Sequence, residues 1–221
     1  MIKLKDKSPF GQGRHRCVYR HPDKNDRCLK VMIEDWRVSK RRKRASLLSR
    51  TFRPKRYFQE NLGEMHFSEI ERKRIGEKAG EFFAQSYGFV ETDMGHALEA
   101  DLIMDHDGKI SLSLESYLLK YGMTPECDEA IERFWDGIVR YGVFLQGRPD
   151  NVMIRRLADG SCHILGVDGF GLPQLVPMAR WFSYARQRFL RKRRMKQDGM
   201  IKKILEAREA GEDPGDKGRA L

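Results

Sequence analysis

The sequence predicts an α+β chain in two lobes, the first rich in strands and the second mostly helical. Three observations lead there. Short apolar runs separated by turn residues fill the first hundred positions. From Ser113 onward the apolar residues recur at helical spacing instead. One hairpin signature interrupts the helices: Val152-Met153-Ile154 and residues 162–167 flank Ala158-Asp159-Gly160-Ser161.

Taken in order, residues 8–13 read as a loop. Arg16-Cys17-Val18-Tyr19 and residues 27–33 read as strands, joined by a turn at 21–26 that contains Pro22 and Asn25. The second of these is a near-continuous apolar run, which suits a strand covered on both faces. Residues 60–78 are charged and helix-forming, with Leu62, Met65, Phe67 and Ile70 as an imperfect apolar stripe. Residues 89–92 and 97–104 read as strands about a turn at 93–96, and residues 105–108 as a turn or linker.

Ser113 is placed to cap a helix over 114–120. Ile131, Phe134, Trp135, Ile138, Gly142 and Leu145 share one face of an amphipathic helix, which residues 147–150 break. Met178, Trp181, Phe182, Ala185 and Phe189 form a last apolar helical face, and the tail from Glu209 is expected to fray. The expected division is an N-lobe over 1–107, a C-lobe over 108–208 and a flexible tail over 209–221.

The chain has 221 residues, with 43 Lys+Arg against 32 Asp+Glu and a formal charge of +11. That excess is local. Residues 37–56 hold ten bases and no acid, and residues 180–196 hold eight bases and no acid. Outside these blocks acids outnumber bases by seven. The body is therefore mildly acidic and carries two basic segments. At 40% hydrophobic and 10% aromatic residues it has enough for a core, which argues against wholesale disorder. No apolar run reaches membrane-spanning length, and the N-terminus lacks the apolar stretch of a secretory signal. Four cysteines, Cys17, Cys28, Cys127 and Cys162, are too sparse for a disulfide scaffold. A cytoplasmic protein is expected, with peripheral contact at the inner membrane as the alternative.

The residues that carry chemistry come in a telling order. Gly11 and Gly13 precede the first strand, Lys30 lies in the second, Asn151 opens the hairpin, and Asp168 follows its far strand. Each is weak alone. Together they suit phosphate handling: backbone N–H groups of a glycine loop approach phosphates, a strand lysine adds a fixed positive charge, and an amide and a carboxylate offer hard oxygens to Mg²⁺. A helix glutamate should hold the lysine; Glu64 is the first candidate and Glu60 the second. Strand Lys, helix Glu, Asn and Asp in that chain order is the protein-kinase layout.

Residues 11–22 and Cys28-Leu29-Lys30-Val31 resemble the opening of the YrbL family, the PhoP regulatory network proteins of bacteria. Residues 87–93 with 105–109, residues 148–153, and residues 167–171 with 175–181 are similar to its central and distal motifs. The resemblance covers most of 8–196; residues 37–60 depart from it and read as an insertion. It implies a protein-kinase-like two-lobed fold with a small, truncated helical C-lobe. Gly11, Gly13 and Arg14 would then face phosphate, Lys30 would bind it, Glu64 would pair with Lys30, and Asn151 and Asp168 would hold metal. The implied cofactors are ATP and Mg²⁺.

One departure matters. A kinase places its base, an Asp, five residues before the Asn, and here that position is Gln146. Three residues before the Asn stands Arg148 where a Lys is usual. Only about 50 residues follow Asp168, too few for a long activation segment and a full helical lobe. Three readings therefore stand. The first is an ATP-dependent phosphotransferase with an unknown acceptor, in which Asp150 or a water assists. The second is an inactive, pseudokinase-like regulatory or scaffold protein. The third is a binder of nucleic acid or an anionic membrane surface through 37–56 and 180–196, although the resemblance running through Trp181 favours core packing for the aromatics there. Cys17, His15, His21 and Cys28 lack the paired spacing of a zinc site, and His163 reads as a hairpin residue satisfied by backbone or water.

Overall fold

The computed structural model describes residues 1–13, 15–33, 60–169 and 182–211. The insertion at 37–56, Arg14, Met178, Trp181 and the tail beyond Gly211 lie outside the described residues, as does the side chain of Glu60. The fold is α+β, with antiparallel sheets and, among the described residues, four α-helices. The chain divides into two compact units. The first takes Met1–Ile70 and Gln85–Leu102; the second takes Glu71–Ala84 and Ile103–Gly215.

The first unit is built on a five-stranded sheet: β1 (Gly11–Gln12), β2 (Arg16–Arg20), β3 (Arg27–Met32), β4 (Ser86–Thr92) and β5 (Gly95–Asp101). Its spatial order is β1-β2-β3-β5-β4, and every neighbouring pair is antiparallel. β3 is central, and Cys28 through Val31 are all buried, as its apolar run predicts. Leu29 and Val31 join Leu4, Tyr19 and Ala97 in the core, with Ile2, Cys17 and Val90 packed on them. Lys30 therefore leaves from the other face, because side chains alternate along a strand. In the turn before β3, His21 Nδ1 accepts from the Asp23 N–H at 3.1 Å. The N-terminus is held by Asp93, whose Oδ1 accepts from the Leu4 N–H at 2.7 Å.

Helix α1 (Glu60–Ile75) forms where expected but buries a different face. Leu62, Met65 and Ile70 are only half-buried, while Asn61, Glu64, Phe67, Ser68 and Glu71 are buried. Polar residues can line an inward face when each finds a partner, and these include an amide and two carboxylates that do. A 3₁₀ turn, Gly76–Glu81, follows. The β4–β5 hairpin begins earlier than the sequence indicates and ends at Asp101. Met104 instead bridges Ile110 across the 105–109 turn. Asp105 stabilises that turn, accepting from Ser111 Oγ at 2.7 Å, the Arg156 N–H at 3.0 Å and Arg156 Nε at 2.7 Å.

In the second unit, Ser113 caps α2 (Leu114–Tyr121), its Oγ accepting from the Ser116 N–H at 3.1 Å. Thr124 caps α3 (Pro125–Tyr141), with Pro125 in the first turn. Gly142 ends α3 in the left-handed conformation at φ +63°, so Gly142 and Leu145 lie past the helix that their spacing had extended. β6 (Leu112–Ser113), β7 (Val152–Arg156) and β8 (Cys162–Gly166) make a second antiparallel sheet, and α3 packs on β8. Helix α4 (Ser183–Glu209) packs against α2, α3 and the 3₁₀ turn Pro149–Asn151.

The aromatics of α4 correct an expectation. Phe182 is 59% and Tyr184 75% exposed, so neither packs in a core. Among the described aromatics of this segment, Phe189 turns inward, its ring centroid 6.0 Å from that of Phe144.

Candidate functional site

In the first unit, the β2–β3 register sets Val18 opposite Lys30, which puts Arg16, two residues earlier on β2, on the same face as Lys30. On α1, Asn61 and Glu64 are three apart and point together. The four meet. Glu64 Oε1 accepts from Lys30 Nζ at 2.5 Å, and Oε2 accepts from Arg16 Nη1 at 2.6 Å. Asn61 Oδ1 accepts from Arg16 Nη1 at 3.1 Å, while its Nδ2 donates to the Lys30 carbonyl at 2.8 Å. Asn61 therefore ties helix to strand backbone at the residue whose side chain Glu64 holds. All four residues are buried. Charge-assisted bonds in such a setting fix geometry firmly, because losing a partner is costly there.

The predicted pairing of Lys30 with Glu64 is present. The sequence motifs give no role to Arg16 or Asn61. Their signal was available: two cations on one face of adjacent strands call for an acid, and an Asn three residues before a Glu shares that Glu's helical face. Gly11 and Gln12 form β1 rather than a loop, which shortens the predicted glycine loop to a tight connection in which the Gly13 N–H donates to the Arg16 carbonyl at 2.8 Å.

In the second unit, the β7–β8 pairing brings the two predicted metal residues together. The Val167 and Asp168 N–H groups both donate to the Asn151 carbonyl, at 3.0 and 3.3 Å. Gly169 follows at φ +75°, and a Cβ there would lie 2.7 Å from Asn151 Nδ2, so glycine is required for the Asn151 amide to sit against this backbone. Asp168 Oδ1 accepts from the Gly169 N–H at 2.6 Å. The Gln146 N–H donates to the Gly169 carbonyl at 2.9 Å, which brings the position of the absent base beside the same turn.

An amide oxygen and one carboxylate from adjacent backbone are a donor set that fits magnesium carried on phosphates, which needs few protein ligands. Among the described residues no group of three or more His, Cys, Asp or Glu side chains gathers to hold a metal alone.

Arg148 and Asp150 form a bidentate pair, Nε to Oδ1 and Nη2 to Oδ2, both 2.9 Å. The pair is half exposed, so it contributes little stability. The Asp150 hydrogen bond raises the Arg148 pKa above the usual value. Both Asp150 oxygens are engaged, which weakens it as a stand-in for the absent base. The loop before them is held from within the unit. Gln197 of α4, 1% exposed, accepts from Trp135 Nε1 at 2.6 Å and donates to the Gly147 carbonyl.

Burial disfavours the thiolate form of all four cysteines. Burial pushes Cys28 up to about 11 and Cys127 up to about 12, and raises Cys17 and Cys162 as well. His163 Nε2 lies 2.9 Å from the Glu81 carbonyl, a backbone partner as expected. A groove of about 510 Å³ between α3 and α4, lined by Asp128, Glu132, Asp198 and Glu206 over Ile131 and Ile201, contains none of the predicted site residues.

Similarity to known proteins agrees with the motifs. The family model described as PhoP regulatory network protein YrbL matches residues 2–204. The uncharacterized protein YrbL of Escherichia coli (strain K12) is 26% identical over 226 residues, covering 95% of each chain, and the protein of that name from Shigella flexneri gives the same values. No described helix is long and apolar enough to cross a membrane. With the family model spanning nearly the whole chain, the protein belongs to the YrbL family of PhoP regulatory network proteins.

Proposed function

We propose that this protein binds a magnesium nucleoside triphosphate, ATP being the reference ligand. The observation that carries the reading is the buried Lys30–Glu64 pair at 2.5 Å, a strand lysine held by a helix glutamate. In this reading Lys30 neutralises phosphate oxygens, and Glu64, set by Arg16 and Asn61, keeps the ammonium from collapsing elsewhere. Asn151 and Asp168 are the proposed metal ligands, and Gly11 and Gly13 the proposed phosphate-facing backbone. Bound Mg²⁺ would supply charge neutralisation at the phosphates, the term that dominates phosphoryl transfer.

Transfer to an acceptor is the stronger form of this reading. Binding without turnover is the weaker form, and Gln146 together with the engaged Asp150 favours it. A calorimetric and thermal-shift titration with Mg-ATP tests both. Saturation at about 100 times Kd adds about 2.7 kcal/mol of stability. Lys30→Met and Asp168→Asn should each abolish the shift, testing the two sets of residues separately. No shift in the wild type at millimolar Mg-ATP ends the reading. Phosphate release by the wild type that Asp168→Asn removes establishes turnover.

A further inference from the structure

We infer that the outward face of α4 is a binding surface for single-stranded nucleic acid. Tyr184, Arg188, Arg191, Lys192 and Met195 recur at i, i+4, i+7, i+8 and i+11, one face of a helix, and all five are exposed. Lys196 flanks them, also exposed. The opposite face carries Leu190, Gln197 and Ile201, all buried. Residues 183–197 contain no acid.

The cations of this helix divide by role. Arg194 pairs with Glu132, and Arg186 and Arg193 lie over the Phe144 and Phe189 rings at 5.6 and 4.9 Å. Arg188, Arg191, Lys192 and Lys196 form no ion pair with any described residue. Four outward charges thus line a rigid rod, from Arg188 to Lys196 about 12 Å long at 1.5 Å per residue.

The chemistry of this stripe selects among anionic partners. A helix that lies on anionic lipid must present an apolar face to it. Here the apolar face is turned into the fold, and the outward face offers Met195 as its one aliphatic side chain. A sugar–phosphate chain needs what is present: a row of cations and a flat aromatic on which an unstacked base can lie. Phe182 and Tyr184, 59% and 75% exposed, stand at one end of that row. Stacking of this kind requires bases that are not already paired, which favours a single strand over a duplex. The surface does not depend on the nucleotide reading, and titration of Mg-ATP into its variants serves as the independent control.

The test is fluorescence anisotropy of a labelled single-stranded RNA oligonucleotide with the full chain. Four phosphate contacts give a slope of about −2.8 in log K against log [salt], an affinity loss of about fifty-fold from 50 to 200 mM. The triple variant Arg188→Glu/Arg191→Glu/Lys192→Glu should abolish binding. Tyr184→Ala should weaken it about ten-fold, the loss of one stacked base. The triple variant should keep its thermal midpoint; Arg188→Gln/Arg191→Gln/Lys192→Gln replaces it where charge reversal prevents folding, with a salt slope reduced to about −0.7. Absence of RNA binding by the wild type overturns the inference. So does binding that the variants leave intact, or binding only to phosphatidylglycerol vesicles or to polyglutamate. Equal affinity for duplex DNA with no effect of Tyr184→Ala also overturns it.

Discussion

Gln197 sits in a basic run, yet it joins two elements of the second unit. Gln197→Leu keeps the volume and removes both hydrogen bonds. The Trp135 indole N–H, on a residue 0% exposed, loses its acceptor, and the Gly147 carbonyl loses its donor. Each buried group left without a partner costs about 1–3 kcal/mol, and the added apolar side chain returns about 1. The expected net loss is about 1–5 kcal/mol. With a urea m-value of about 2 kcal/mol/M, the midpoint falls by about 0.5–2.5 M at unchanged slope. Lys196→Leu, one residue away and exposed, is the control and should stay within about 0.5 kcal/mol. A Gln197→Leu loss no greater than that of the control would refute the argument that this residue anchors the Gly147 loop.

Three other outcomes are expected. Glu64→Gln removes the carboxylate shared by Arg16 and Lys30, both buried, and should cost about 3 kcal/mol in urea unfolding. Gly137→Ala gains about 1 kcal/mol of helix propensity but drives a Cβ into the buried Phe82 ring; overpacking of about 1–3 kcal/mol should win, and thermal unfolding decides the sign. Cys28 is raised from 9.0 to about 11 by burial, so its contribution is complete below pH 9. As pH rises from 9 to 11 the unfolded chain ionises first, and about 3 kcal/mol is lost. Cys28→Val should flatten that alkaline limb of a stability–pH profile.

What could be read from the sequence was whatever leaves a local signature. Ser113 and Asp159-Gly160 announce a cap and a hairpin, and the structure places both. Lys30 is legible only through its place in the ordered set with Gly11, Gly13, Asn151 and Asp168, because a lone strand lysine is usually solvated. The inward face of α1 was misread because Asn61, Glu64, Ser68 and Glu71 take positions that apolar residues usually fill. The partners of Asn61 and Glu64, Arg16 and Lys30, come from distant segments, and no helical periodicity encodes those. Gln197 failed to stand out for the same reason: its partners, Trp135 and Gly147, lie 62 and 50 positions away. Core packing of Phe182 and Tyr184 was expected because the family resemblance runs through Trp181, yet both are exposed, as apolar atoms form much of any protein surface.

The strand order of the first unit sets a schedule for folding. β3 is flanked by β2, close in sequence, and by β5, whose Leu98 pairs with Lys30 across 68 positions. The β7–β8 hairpin of the second unit closes Ile154 on Ile164 across only ten. At a synthesis rate of about 5–20 residues per second, β5 follows β3 from the ribosome by roughly 3–14 s. For that interval the apolar strand carrying Lys30 has one open hydrogen-bonding edge, the kind of edge that pairs readily with another chain. The first unit's sheet is therefore completed late, and until β5 arrives the edge of β3 is open to pairing with another chain.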